Sequence, residues 1–285
     1  MEELRLHARA KINLGLDVLR KREDGYHEVR MIMQTIHLYD KITLSLTEKP
    51  GIQIQTNLRY LPVNEDNLVY KAAKLLMDEF AVEQGLNIRL EKHIPVAAGM
   101  AGGSSDAAAV LVGVNRMFEL GLSKKDLMAR GVKIGADVPY CVMRGTALAE
   151  GIGEKLTPLA RMPQCYILIA KPKISVSTKF VYGNLRANEL TEHPDIDAQI
   201  AALKAGDLRT LCREMGNVLE TVTIPAYPVI GEIKKTMLEC GALGSLMSGS
   251  GPTVFGIFED KEKAEKAFAV LKSGDETRQV YLCRN

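Results

Sequence analysis

Apolar and polar positions alternate at the start of the chain. Leu4 and Leu6, then Ile12, Leu14, Leu16 and Val18, recur with the period of two that marks a strand over 4–19. Lys11 and Asn13 share the parity of Arg9 and Gly15, opposite to the apolar set, so they face away from the core of such a strand. A solvated face and a cleft both satisfy that pattern. The polar stretch 20–25 ends in Asp-Gly, a strong turn signal. After Tyr26 and His27 the strand-like pattern resumes and runs through Gln34 and Asp40 to Leu46. Asp40-Lys41 and the stretch 48–51 read as turn points, with 52–55 a short strand.

The period then changes. Leu68, Ala72, Leu75 and Leu76 fall on one helical face behind the cap-rich stretch 64–67. Residues 86–90 read as a strand. Ala107, Leu111, Val114 and Phe118 make an apolar stripe at helical spacing. Ser123 with Asp126 has capping-box spacing and opens a short helix ending near Gly135. A hairpin is expected over 145–159, with Gly151 and Gly153 at its turn. Further on, 166–170 reads as a strand and 180–185 as a helix, with Ser175, Ser177 and Thr178 as cap candidates. Two helices are expected in 195–222, the second carried by Leu208, Leu211, Met215 and Leu219. Val229, Ile230, Ile233 and Met237 mark another, ended by Gly241. Strands at 243–247 and 253–258, a helix over 264–271 and a last strand at 280–283 complete an α+β layer with helices on one face.

Composition narrows what such a chain can be. Its 285 residues suffice for one large or two ordinary domains, and 46% hydrophobic with 25% charged residues is a globular profile. A net charge of +2, without a dense basic block, excludes a nucleic-acid binder. No apolar run reaches the roughly 18 residues of a membrane span, and the opening Met-Glu-Glu-Leu-Arg-Leu-His has no apolar signal core. Five scattered cysteines without Cys-x-x-Cys read as reduced core residues, so a cytoplasmic protein is expected.

Chemistry gathers at three places. Pro95, Val96, Ala97, Ala98, Gly99, Met100, Ala101, Gly102, Gly103, Ser104 and Ser105 form a glycine-rich stretch that runs into the helix of Ala107. Unpaired N–H groups at the positive end of a helix dipole hold phosphate, and glycine permits close approach. A flexible turn with an ordinary serine cap is the plainer alternative, and no Gly-Lys-Ser/Thr of a Walker A sequence follows. Asp137, between Ala136 and Val138-Pro139, is either a helix cap or a carboxylate with a role, since burying it without a partner is costly. Ser248-Gly249-Ser250-Gly251-Pro252 is a second glycine turn. Glycine loops with one lysine and one aspartate are what phosphoryl transfer needs, because its catalysis is mainly positioning and electrostatics. Neither Gly-x-Ser-x-Gly nor a histidine metal pair is present.

The stretch Pro95-x-x-x-Gly99-x-x-x-Gly103-Ser104-Ser105-x-Ala107 resembles the phosphate-loop motif of the GHMP small-molecule kinases. Ala10-Lys11-Ile12-Asn13-Leu14, Asp24-Gly25-Tyr26-His27, Gly135-Ala136-Asp137-Val138-Pro139 and the turn at 248–252 are similar to members acting on a cytidyl diphosphate substrate. The likeness runs essentially end to end. It implies a two-domain GHMP kinase fold of α+β class. Residues 1–160 would be an ATP-binding domain of the ribosomal-protein-S5 domain 2 type. Residues 161–285 would be a ferredoxin-like α/β layer contributing to the substrate site. The implied reaction is ATP- and Mg²⁺-dependent phosphorylation of the 2-hydroxyl of an erythritol moiety, in the non-mevalonate route to isoprenoids.

On the same resemblance Asp137 is the base, Lys11 its electrostatic partner, and 95–105 the ATP loop; the metal ligands stay unassigned. The cytosine would lie between the rings of Tyr26 and Tyr182 and be read by His27, with Asn13 and Thr178 as polar contacts. Ala101 departs from the glycine common at that place. The implied partner is a small molecule, with no nucleic acid or membrane, and the protein a monomer or homodimer. Two alternatives stand beside this reading: a sibling kinase acting on homoserine or a mevalonate derivative, and a non-catalytic nucleotide-binding sensor.

Overall fold

The computed structural model describes residues 3–285. In chain order these form β1 (Glu3–Lys21), β2 (His27–Thr47), β3 (Ile52–Thr56), α1 (Leu68–Glu79), β4 (Gly85–Glu91) and α2 (Gly102–Met117). There follow α3 (Lys124–Gly131), α4 (Val138–Met143), β5 (Thr146–Gly151), β6 (Lys155–Pro158), β7 (Tyr166–Pro172) and α5 (Thr178–Asn184). The last part holds α6 (Ile196–Ala205), α7 (Leu208–Arg213), β8 (Gly216–Asn217), α8 (Glu220–Ala226), α9 (Val229–Glu239), β9 (Gly244–Met247), β10 (Val254–Phe258), α10 (Lys261–Ser273) and β11 (Thr277–Arg284). Two compact units are interleaved along the chain. One comprises the residues up to Ala10, Leu38–Val96 and Ala101–Arg144; the other comprises Lys11–His37, Ala97–Met100 and Gly145–Asn285.

In the first unit, β4 pairs antiparallel with the second half of β2, from Lys41 opposite Glu91 to Thr47 opposite Gly85, and parallel with β3. Helix α1 packs on α2, and α4 packs on both α2 and α3. The sheet side of the core is Ile42, Leu44, Leu86, Ile88 and Leu90, and the helix side is Val69, Ala72, Leu76, Val110, Leu111 and Val114. Small residues let α2 approach closely: a Cβ on Gly113 would lie 2.4 Å from Leu44 Cδ1 and 2.6 Å from Leu6 Cδ1. The capping box of Ser123 and Asp126 forms as expected at the start of α3, which ends at Gly131 rather than near Gly135.

In the second unit, the first half of β2 pairs with β5, β5 forms a hairpin with β6, and β8 pairs parallel with β1. A separate antiparallel sheet has the order β11-β7-β10-β9. Counted along the chain that is 4-1-3-2, which with the intervening helices is the ferredoxin-like arrangement. Helices α9 and α10 cover it. Phe255 and Phe258 are fully buried there, each contributing roughly 1.5–3 kcal/mol of apolar burial.

Three expectations change. Asp40-Lys41 is no turn: β2 is continuous for 21 residues, because the buried Asp40 carboxylate is satisfied by donors beneath it. The helix expected to reach Leu219 stops at Arg213, and Gly216-Asn217 pairs with β1 instead. There Asn217 Nδ2 donates at 2.8 Å to the carbonyls of both Met247 and Gly249, which a helix through 215–219 could not arrange. Of the two readings open for Lys11 and Asn13, the solvated face fails, since both are buried. Among the described residues no helix is long and apolar enough to cross a membrane.

Candidate active site

The glycine-rich stretch folds as a chain of left-handed turns. Ala97, Gly99 and Ala101 have φ of 50°, 71° and 54°. Left-handed residues in a loop of this kind are the backbone from which anion-binding nests are built. Ala101 is the N-cap of α2 and makes no side-chain cap hydrogen bond. The first helical bond, from Ser105 N–H to the Ala101 carbonyl at 2.8 Å, leaves the amides of Gly102, Gly103 and Ser104 ahead of it at the positive end of the dipole. Ser104, Ser105 and Asp106 lie inside the helix and do not cap it. The Ser105 hydroxyl donates to the Arg9 carbonyl at 2.6 Å, which ties the helix start to β1. A Cβ on Gly103 would meet Leu68 Cδ1 alone, at 3.5 Å, so that side of the turn is open. These features fit the terminal phosphates of a nucleotide.

The second glycine turn braces the first. Ser248 Oγ donates to the Gly99 carbonyl at 2.9 Å, and a Cβ on Gly99 would fall 2.1 Å from the Ser248 carbonyl oxygen. Met100 accepts from the Lys11 N–H at 3.2 Å. Lys11 Nζ donates to Asn13 Oδ1 at 2.7 Å, and Asn13 Nδ2 lies 3.2 Å from Met31 Sδ. Alternation along β1 had placed Lys11 and Asn13 together, and the sequence had marked the glycine turn of Ser248 and Ser250; Met31 was not foreseen. Ser250 Oγ is 2.8 Å from Thr178 Oγ1, which sits in the first turn of α5 behind the Ser177 cap.

Asp137 is half-buried at the N-cap of α4 with φ −82° and ψ −12°, and its side chain makes no cap hydrogen bond. The cap reading therefore describes its position and not its carboxylate. Its turn lies against the start of α2: a Cβ on Gly135 would be 3.9 Å from Ser104 Oγ.

The rings of His27 and Tyr182 are brought together, with centroids 5.1 Å apart and planes tilted by 43°. Burial first, and the Lys21 ammonium second, push the His27 imidazole below its ordinary value, which favours the neutral ring. Tyr26 stands 60% exposed. A half-buried imidazole beside a second ring can stack a flat heteroaromatic base.

Sequence reasoning missed Asp40 and Lys92. Asp40 shares strand parity with Leu38, Ile42 and Leu44, so an acid on a core-facing row was the available signal. Its carboxylate takes the N–H groups of His93 and Ile94 and the Lys92 ammonium.

Comparison with known proteins places these features in a family. The profile described as GHMP kinases N terminal domain matches residues 67–145, and that described as GHMP kinases C terminal matches 199–275. A protein of Lachnospira eligens named 4-diphosphocytidyl-2-C-methyl-D-erythritol kinase is 58% identical over 99% of this chain and 98% of its own. One of the same name from Lachnoclostridium phytofermentans is 57% identical over 100% and 98%. The crystal structure of a 4-(cytidine 5'-diphospho)-2C-methyl-D-erythritol kinase superposes with a TM-score of 0.85 at 33% identity, covering 99% of this chain and 98% of the other. A homoserine kinase from Cytophaga hutchinsonii shares the fold, with a TM-score of 0.80 at 22% identity over 99% and 95% of the two chains.

Proposed function

The chain belongs to the GHMP kinases, in the family of the 4-diphosphocytidyl-2-C-methyl-D-erythritol kinases, and from that premise we propose that it phosphorylates the 2-hydroxyl of 4-(cytidine 5'-diphospho)-2-C-methyl-D-erythritol. ATP supplies the phosphoryl group, the products are the 2-phosphate and ADP, and the step belongs to the non-mevalonate route of isoprenoid synthesis. The observation that carries this reading is the end-to-end identity of 58% with a relative of that name.

Residues 95–105 would hold the nucleotide phosphates, supported by the left-handed residues of the loop and the start of α2 without a side-chain cap. Asp137 would accept the proton of the attacking hydroxyl as the new O–P bond forms and the bond to the leaving ADP breaks. A carboxylate within reach of a hydroxyl can do this, and an ammonium keeps such a carboxylate ionised while offsetting phosphoryl charge. Lys11 would be that ammonium, held by Asn13. His27, Tyr26 and Tyr182 would take the cytosine, and Asn13 and Thr178 the polar part of the substrate. Among the described residues no group of three or more His, Cys, Asp or Glu is arranged for a metal. Mg²⁺ would accompany the nucleotide phosphates, as it commonly does. Residues 1–160 would carry nucleotide binding and 161–285 would complete the substrate site, in a cytoplasmic monomer or homodimer.

ADP release measured in parallel with the cytidyl substrate, homoserine and mevalonate, with and without Mg²⁺, tests the reading. Release with the cytidyl substrate alone supports it. Turnover of homoserine or mevalonate in its place overturns it, and nucleotide binding without turnover of any substrate makes the protein a sensor.

A further inference from the structure

Asp40 on β2, Lys92 just after β4 and Asp106 in α2 form a closed ionic cluster beneath the first turn of α2. Their side chains are 0%, 4% and 3% exposed. Lys92 Nζ donates to Asp106 Oδ2 at 2.7 Å and also to Asp40 Oδ2. Asp40 Oδ1 accepts the N–H groups of His93 at 2.5 Å and Ile94 at 2.8 Å. Three donors thus converge on Asp40, and both of its oxygens are partnered. Asp106 is different: its Oδ1 is buried without any hydrogen-bond partner.

Two carboxylates and one ammonium would leave a surplus negative charge where water does not reach. Like charges that close do not both stay ionised, and a buried charge with an unpaired oxygen is costly. One proton removes the surplus, and the orphaned oxygen identifies its holder. Burial is the main cause that raises the Asp106 carboxyl well above the usual range; the Asp40 carboxylate adds to it, and the Lys92 ammonium opposes it. Those are the charged groups acting on it, since its helix neighbours from Gly102 to Val110 are uncharged.

The cluster also touches the nucleotide loop. A Cβ on Gly102 would lie 3.2 Å from Lys92 Nζ and 3.2 Å from Ile94 Cγ2, so the helix start rests directly on the lysine. We propose that Asp106 is a neutral carboxylic acid in the native protein, and that Asp40, Lys92 and Asp106 are positioning residues that set the first turn of α2 for nucleotide phosphates. The second half rests on the kinase reading. With Asp106 neutral, the support beneath an anion site carries no net negative charge.

Asp106→Asn replaces a neutral acid with a neutral amide of the same shape. The native wild type holds one proton more than its unfolded chain above about pH 4, so its stability falls as pH rises and the variant's does not. The variant should therefore be the more stable at neutral pH, by an unfolding constant that separates by up to roughly tenfold per pH unit. A variant less stable at neutral pH, with the gap closing on acidification, would mean an ionised Asp106 and overturn the assignment. Lys92→Met strands two carboxylates and should weaken ADP binding by about tenfold or more. If it fails to fold, the double variant Asp40→Asn, Lys92→Met removes both charges. Wild-type ADP affinity in either folded variant would overturn the positioning role. Failure of the wild type to bind ADP would defeat the kinase reading instead, with the stability comparison still deciding the protonation of Asp106.

Discussion

Ser248 Oγ donates to the carbonyl of Gly99 at 2.9 Å across 149 positions of sequence. The two glycine turns are thereby a single construction: the loop proposed to hold phosphate takes its shape partly from a turn of the ferredoxin-like layer.

Substitution at this contact should be severe. Gly99 has φ +71°, and a Cβ there would sit 2.1 Å from the Ser248 carbonyl oxygen. Gly25 is the control, with φ +86° and nothing within 4 Å of an added Cβ. Gly25→Ala should lose about 1 kcal/mol from backbone strain alone. Gly99→Ala should lose clearly more and should weaken nucleotide binding, as read by thermal melts and ADP titration. Equal losses at the two positions would mean that the loop has room to shift.

Asp137→Asn should keep nucleotide binding and lose roughly 10²–10⁴ in turnover, the usual contribution of a general base. Single-turnover kinetics with ADP detection measure it, and wild-type-like turnover of the variant would reject the role. Lys11→Met should likewise lower turnover more than nucleotide affinity, because the ammonium acts on charge that develops during transfer.

The His27 imidazole is held below its ordinary value of 6.5 by burial and by Lys21, so the neutral ring predominates at and above that pH. The KM for the cytidyl substrate should be flat there and should rise as pH drops through the depressed value. Lys21→Gln removes one cause of the depression and should move that rise to higher pH. In the window between the depressed value and 6.5 the unfolded chain binds the proton first, so stability also declines with acidification. An onset unmoved or lowered by Lys21→Gln would remove His27 from base recognition.

Arg144 ends α4 with φ 62° and ψ 177°, a backbone region almost reserved for glycine. Its guanidinium donates to the His7 carbonyl at 3.0 Å, and burial first, then Arg9, lowers its pKa. Arg144→Ala and Arg144→Gly both lose that hydrogen bond, yet glycine alone relieves the strain. The glycine variant should be the more stable of the two by about 1–3 kcal/mol in denaturant unfolding. Equal stabilities would place no strain at this residue.

Local patterning determined much of this protein by itself. The period-two run of β1, the Ser123 capping box and the strand-turn-strand of β9 and β10 are set by neighbours a few residues apart, so they are legible in the sequence. The glycine turn at the start of α2 was legible too, because glycine spacing ahead of an alanine-rich helix marks a tight loop, and the roles proposed for Lys11 and Asp137 rest on family resemblance. What sequence could not supply was whether a polar residue is covered. Lys11 and Asn13 look solvated along β1 and are buried. Asp40 looks like a turn and lies at the centre of an ionic cluster, because its donors at Lys92, His93 and Ile94 arrive from 52 to 54 positions away. The desolvation and pairing of a charge depend on every element packed around it, and only the folded chain brings those elements together.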